Sequence, residues 1–183
     1  MYGPVNSTSS AGSMDISHVF VATYVWSLPS LRSQSRFLRT PFGDWQLSGV
    51  IHLQSGPFYT ITGSTSILGT RVANYIGGAG VLPNPGPNGW FNPAAFAAAA
   101  QGAWGTAGVG DVQGPGMQIY NLSVSKLFPI RESKSLRFRT DFFNAFNCVN
   151  FQGPAVTVTS SGFGTISAAY PARNIQMALK FEF

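Results

Sequence analysis

The last eleven residues of the chain, RNIQMALKFEF at positions 173–183, constrain its fold more than any other stretch. Large apolar side chains occupy every second position, and mostly polar side chains occupy the positions between them. The apolar set is Ile175, Met177, Leu179, Phe181 and Phe183. Alternation with a period of two residues is typical of a β-strand with one apolar and one polar face. The chain is therefore predicted to end in an amphipathic strand whose last residue is aromatic.

The composition extends this prediction to the whole chain. Charged residues make up only 9% of the sequence, against about 25% in ordinary soluble domains. Aromatic residues reach 14%, and there are 21 Gly and 12 Pro. A disordered chain would show the opposite balance. With 183 residues, enough for one domain with a core, the sequence predicts an all-β protein with an apolar outside.

Four further stretches show strand character, and the connections alternate in length. The five predicted strands cover residues 15–28, 45–55, 117–128, 135–149 and 173–183. The links at 30–44 and 129–133 are shorter, and those at 63–115 and 150–171 are longer. Outer-membrane barrels have this pattern of short turns at one end and long loops at the other. We expect an antiparallel meander that stays open, because the smallest membrane barrels use about eight strands. The first and last strands should then be free edges.

Two segments outside the predicted strands are expected to have other structures. Residues 1–14 are rich in Ser and Gly and are predicted to be irregular, so that the barrel strands occupy 15–183. The long loop at 63–115 is dense in Gly and Pro, and it contains the sequence NPAAFAAAA at 92–100. Asn92 could cap a helix there, with Pro93 at its first position. We therefore predict a short helix within this loop.

The alternation assigns side chains to two faces of the predicted sheet. Arginine facing lipid would cost about 2–4 kcal/mol at mid-membrane, so the polar positions are expected to face inward. The predicted lumen-facing residues are Gln46, Ser48, His52, Gln54, Asn121, Ser123, Arg137, Arg139, Asp141, Gln176 and Lys180. For the charged positions, pairing with neighbours in the lumen is the simpler role, and contact with a plug or passing substrate is the alternative. Aromatic residues near the strand ends are expected to form interfacial girdles: Trp26, Trp45, Tyr120, Phe128, Phe181 and Phe183.

Other functions find little support in the residue pattern. The acids are scattered without an acid–base pair, and neither histidine has further metal ligands at suitable spacing. We therefore expect no enzyme activity, no cofactor and no metal. The net charge of +5 lies mainly in two turn regions and does not form the aromatic-rich basic stripe of nucleic-acid binders. The single cysteine, Cys148, excludes an intrachain disulfide.

Several motifs in order give the chain a family resemblance. They are WQLSGVIHLQSG from Trp45, WFNPAAF from Trp90, GDVQGPGMQIYNLSVSKLFPI from Gly110 and RFRTDFFNAFNCVNF from Arg137, followed by the terminal strand. This set resembles the C-terminal part of TonB-dependent outer-membrane receptors, most closely the Oar-like group, which carries a carboxypeptidase-regulatory-like domain. The likeness covers roughly residues 15–183.

The resemblance implies a location in the bacterial outer membrane and a role in the passage of a bulky substrate. Such receptors have a 22-stranded barrel, an N-terminal plug and a TonB-contacting box, and this chain matches only the closing strands and outer loops. We expect its partners to be outer-membrane lipid and the missing barrel and plug, with TonB engaged only through that missing part.

The final strand resembles the signal that the barrel-assembly machinery reads, carried here by Leu179, Phe181 and Phe183. The N-terminus lacks the features of a signal peptide, so Met1 is expected to be an internal or truncation point. The alternative interpretation is a secreted β-sandwich that binds or adheres through its long loop.

Overall fold

The computed structural model describes residues 15–30, 42–66, 69–131 and 134–183. The predicted irregular segment 1–14 lies outside the described residues, as does most of the link at 30–44. The strands in chain order are β1 (Val19–Ser27), β2 (Trp45–Gln54), β3 (Phe58–Tyr59), β4 (Thr62–Ser66), β5 (Gly69–Val72), β6 (Asn74–Tyr75), β7 (Val81–Gly86), β8 (Gly89–Phe91), β9 (Phe96–Ala97), β10 (Val112–Gln113), β11 (Met117–Arg131), β12 (Lys134–Phe143) and β13 (Asn174–Glu182).

The described residues form two compact units. The sheet unit contains the long strands, within Phe20–Leu53, Gln118–Val149 and Pro171–Phe183. The loop unit contains Gln54–Met117 and Asn150–Tyr170, together with the start of the described chain up to Val19.

The sheet unit is built on one open antiparallel sheet with the strand order β1-β2-β11-β12-β13. Each strand pairs with its neighbour in this series, so β1 and β13 are the two edges. Hydrogen bonds fix β1 against β2 at both ends, from Leu28 N to Trp45 O (2.7 Å) and from Ser55 N to His18 O (2.9 Å). The expectation of an open five-stranded meander with these edges is confirmed.

The predicted strand over 135–149 is too long, because β12 ends at Phe143. Two asparagines adopt the left-handed conformation just beyond it, Asn144 at φ 51° and Asn147 at φ 55°. Asn144 uses its side-chain amide to bond both backbone groups of Cys148, at 2.9 Å each. Asparagine tolerates this conformation and bonds nearby backbone, so the segment turns instead of extending.

The loop unit has its own hydrophobic core and four two-stranded sheets: β3 with β10, β4 with β5, β6 with β9, and β7 with β8. The buried members of this core are Ile61, Ala73, Phe91, Ala95, Phe96, Ala107 and Val112. Phe163 from the second long segment packs edge-on against Phe91, with ring centroids 5.2 Å apart. The two long loops therefore share one core.

The helix predicted over 92–100 is present only as a single 3-10 turn, Pro93–Ala95. Its start was predicted correctly, because the Asn92 side chain accepts a hydrogen bond from Ala94 N at 3.1 Å and Pro93 follows directly. Phe96 is then buried at 6% exposure and pairs with Tyr75 in a short sheet. Burial of this aromatic ring in the extended conformation outweighs the helix propensity of the alanines.

Candidate functional site

The register of the last three long strands sorts their side chains onto two faces. Opposite residues in a sheet share a face, and Leu136 lies opposite Phe181, Phe138 opposite Leu179, and Phe142 opposite Ile175. We call this side the apolar face. On β11 it continues through Phe128, Val124 and Leu122, which pair with Leu136, Thr140 and Phe142. The predicted sharing of one face by the apolar residues of β12 and β13 is confirmed.

The opposite side, the polar face, carries the charges of β12 and β13. Arg137 lies opposite Lys180, and Asp141 lies opposite Gln176 on one side and Ser123 on the other. Arg139 and Asp141 form a two-pronged pair along the strand, with Arg139 Nε and Nη2 donating to the Asp141 carboxylate at 2.9–3.0 Å. This fork geometry fixes the orientation of both side chains.

A second group of charges on the polar face meets at Glu182. Its carboxylate lies 3.2 Å from Lys180 Nζ and 3.6 Å from Arg137 Nη2, and it accepts a hydrogen bond from Ser135 Oγ at 3.2 Å. Arg137 and Lys180 remain more than half exposed. The polar face thus presents fixed but accessible cations.

The remaining strands join the same two faces. The ring of Trp45 meets that of Phe138 edge-on, with centroids 6.1 Å apart, so Trp45 belongs to the apolar face. Alternation along β2 then places its polar residues on the opposite side. All eleven predicted lumen-facing residues therefore share the polar face: Gln46, Ser48, His52, Gln54, Asn121, Ser123, Arg137, Arg139, Asp141, Gln176 and Lys180. That this face borders a lumen stays a prediction.

The first strand departs from the pattern because it is apolar on both sides. Tyr24 lies on the apolar face over Gly49, where a Cβ atom would collide with the tyrosine ring. Of the five alternate positions of β1, three hold Val19, Val21 and Val25, which are more than half exposed, and two hold Thr23 and Ser27. The polar face therefore has an apolar border along its first strand.

Lys126 was not among the predicted face residues, although it shares the parity of Val124 and Phe128 and so belongs to the apolar face. Lys126 pairs with Phe138, is only 5% exposed and donates from Nζ to the Gly43 carbonyl. Its ammonium lies 5.4 Å from the ring centroid of Trp45 and 5.1 Å from that of Phe128. Cation–π attraction of this kind offsets the removal of the charge from water. The sequence signal was a lysine at an apolar position of the alternation, two residues before Phe128.

The predicted girdle and assembly-signal residues lie near strand ends on the apolar side. Trp45 and Phe128 lie beside Lys126, and the ring centroids of Phe181 and Phe183 are 6.0 Å apart. Leu179 and Phe181 on the edge strand are 66% and 50% exposed, and Phe183, directly after the strand, is 92% exposed. This edge presents both unpaired backbone groups and apolar side chains.

Tyr59 is the point where the loop unit brings several segments close together. A Cβ atom on either Gly114 or Gly153 would collide with its ring, so both glycines permit the close approach. Burial, with Tyr170 adding to it, raises the pKa of Tyr59 above its ordinary value of 10.0. Partial burial thus favours the neutral form of this phenol.

Within residues 15–30, 42–66, 69–131 and 134–183, no three His, Cys, Asp or Glu side chains lie close enough together to hold a metal ion. In the same part of the chain, no helix has the length and apolar character needed to cross a membrane.

Comparison with known proteins agrees with the two-faced sheet. The family model described as the outer membrane beta barrel domain matches residues 4–176, which is nearly the whole chain. No curated protein and no solved structure is significantly similar to the chain. An outer-membrane location follows from the family match. The sequence pattern, the open sheet and this match together show that the chain belongs to the outer membrane beta barrel domain family.

Proposed function

We propose that this chain forms the closing strands and outer loops of a TonB-dependent transporter of the Oar-like group in a bacterial outer membrane. The observation that carries the proposal is the open sheet with one apolar face, one charged face and two free edges. Four of its strands contain 9 or 10 residues. About 9–11 tilted residues are needed for a strand to cross a bilayer.

In this proposal the polar face lines the passage. The Arg139–Asp141 pair and the charges around Glu182 would hold a plug or a passing substrate by charge-assisted hydrogen bonds. The exposed valines of β1 would offer an apolar contact at the opposite edge of the sheet. The free edges of β1 and β13 would pair with further strands of a complete barrel, because an unpaired edge is otherwise a site of aggregation.

The long segments both leave the sheet at one end, where β2 and β12 finish and β11 and β13 begin. Long loops lie on the extracellular side of such barrels. We therefore propose that the two long segments are extracellular. The core that they share would keep a binding surface folded.

The secreted β-sandwich alternative needs two sheets of several strands packed face to face. Among the described residues, each sheet other than the central one has two strands. The transporter proposal is accordingly the better supported of the two.

Adjacent substitutions on β13 test which face meets lipid. Met177 is on the apolar face and Ala178 is its neighbour on the polar face, opposite Arg139. We expect Met177→Arg to destabilise the chain in phospholipid vesicles by about 2–4 kcal/mol, as for arginine at a bilayer midplane. Ala178→Arg should cost much less. The measurement is the urea midpoint of folding into vesicles, and equal costs at both positions would contradict the assignment of faces.

Transport itself is tested in the parent protein. The reading frame upstream of the codon for Met1 should encode a plug and a TonB-contacting box. Deletion of residues 55–116 from that parent should abolish uptake of its substrate while the barrel remains in the membrane. Uptake that persists without TonB would argue against the proposed transporter class.

A further inference from the structure

Among the described residues of β11, β12 and β13, every charged side chain with the parity of the apolar face is positive. Lys126 and Lys134 share the parity of the apolar side chains near the turn between β11 and β12, and Arg173 directly precedes β13 in the parity of Ile175. The carboxylates of the same strands, Asp141 and Glu182, fall on the polar face. Along the described parts of these three strands, the apolar parity therefore carries cations toward both ends and no carboxylate, and Asp44, just before β2, lies near Lys126.

Arg173 is held in a defined place at the end where the long segments leave the sheet. Its backbone N–H donates to Asn147 Oδ1 at 3.1 Å, and its Nη1 lies 3.4 Å from the Ala145 carbonyl oxygen. Asn147 reaches this position because it adopts the left-handed conformation, with φ 55°. The backbone at Arg173 is thus anchored while the residue remains exposed.

Aromatic rings accompany Arg173 at this end of the apolar face. Phe146 packs edge-on against Tyr120 with ring centroids 5.1 Å apart, and Phe146 is 74% exposed. Tyr120 lies on β11, and its carbonyl oxygen accepts a hydrogen bond from Ala145 N at 2.7 Å. The same short turn, residues 144–147, therefore carries the exposed ring and the groups that hold the arginine.

We propose that Arg173, beside Phe146 and Tyr120, binds the phosphate group of a membrane lipid headgroup, with the rings resting at the boundary between headgroups and acyl chains. This inference rests on the proposed membrane-spanning role of the sheet. Guanidinium groups match phosphate oxygens in a two-pronged geometry. Aromatic residues favour the headgroup level of a bilayer. The occupant is a lipid, because the site continues directly into the apolar band.

The test uses the full chain in maltoside micelles, which contain no phosphate. Phosphatidylglycerol and a diacylglycerol with the same acyl chains are titrated separately, and bound lipid is counted by native mass spectrometry. We expect the phosphatidylglycerol to bind more tightly, and Arg173→Gln to weaken its binding about fivefold. Arg173→Lys should retain part of the preference, since the charge remains.

Arg137→Gln is the matched control, because it removes a guanidinium from the polar face. We expect its phosphatidylglycerol affinity to be unchanged, and circular dichroism checks that both variants fold. Equal loss in the two variants, or equal binding of the two lipids, would overturn the lipid site. So would full competition by soluble glycerol phosphate, which would indicate a free-phosphate site. Failure of the proposed membrane-spanning role of the sheet would be recognised separately. In that case Met177→Arg and Ala178→Arg would destabilise the chain in vesicles by the same free energy.

Discussion

Phe91→Ala is predicted to open the loop unit. Phe91 is 1% exposed and packs edge-on against Phe96 and Phe163, at centroid distances of 6.0 and 5.2 Å. Loss of a buried phenylalanine costs about 3–5 kcal/mol, to which each aromatic pair contributes about 0.5–1.5 kcal/mol. Because about 1.4 kcal/mol is a factor of ten, the opening constant should rise by roughly two to four orders of magnitude.

Hydrogen exchange of the chain in detergent micelles measures this opening by segment. Peptides covering residues 81–97 and 155–166 should both lose protection, since Phe163 belongs to the second segment. Val81→Ala is the control, because Val81 is the cross-strand partner of Phe91 and is 66% exposed. It should change stability by no more than about 0.5 kcal/mol. If 81–97 loses protection and 155–166 keeps it, the two segments do not share a cooperative core.

Three further changes give distinct outcomes. Gly105→Ala should destabilise the loop unit by about 1–3 kcal/mol, because a Cβ atom there would collide with the Val72 and Ala73 carbonyl oxygens. Gly86→Ala is the control and should be tolerated, because a Cβ atom at Gly86 meets no heavy atom within 4 Å. Thermal melts of the two variants compare their stabilities. Asn144→Ala should lower the free energy of unfolding by about 1–3 kcal/mol, because it removes both side-chain bonds to the Cys148 backbone. The loss is measured as a lower urea midpoint, and an unchanged midpoint would refute this role of Asn144. Burial raises the pKa of Tyr59, so the folded state holds the phenol proton more strongly than the unfolded state does. The protection of the loop unit from hydrogen exchange should therefore fall as pH rises above 10.0. Tyr59→Phe should remove that part of the pH dependence.

The two-faced sheet could be predicted from sequence because its physics is local. Each residue of β13 has its face fixed by its parity, and the strict alternation from Ile175 to Phe181 leaves a single register that keeps one face apolar. The same argument placed Arg137, Arg139 and Asp141 together. Parity does not fix where a strand ends, since the turn after Phe143 depends on side-chain bonds from Asn144.

The loop unit could not be predicted because its structure depends on contacts between distant segments. Nothing near Phe163 in the sequence indicates that its ring meets Phe91, 72 positions earlier. The alanines after Pro93 have high helix propensity, yet burial of Phe96 holds the chain extended. The burial of Lys126 on the apolar face likewise involves Trp45, a residue of another strand.

The joint core of the two long segments restricts how such a chain can diversify. Thr62 bonds the backbone of Val156 and Val158, and Trp90 donates to the Gly164 carbonyl at 2.7 Å. Each segment therefore supplies part of the other's hydrogen bonding and packing. A donor loop grafted from a relative at residues 55–116 alone would meet a mismatched partner at 151–170. The two segments must be exchanged as a pair, and antibodies raised against either one as a free peptide should fail to recognise the folded protein.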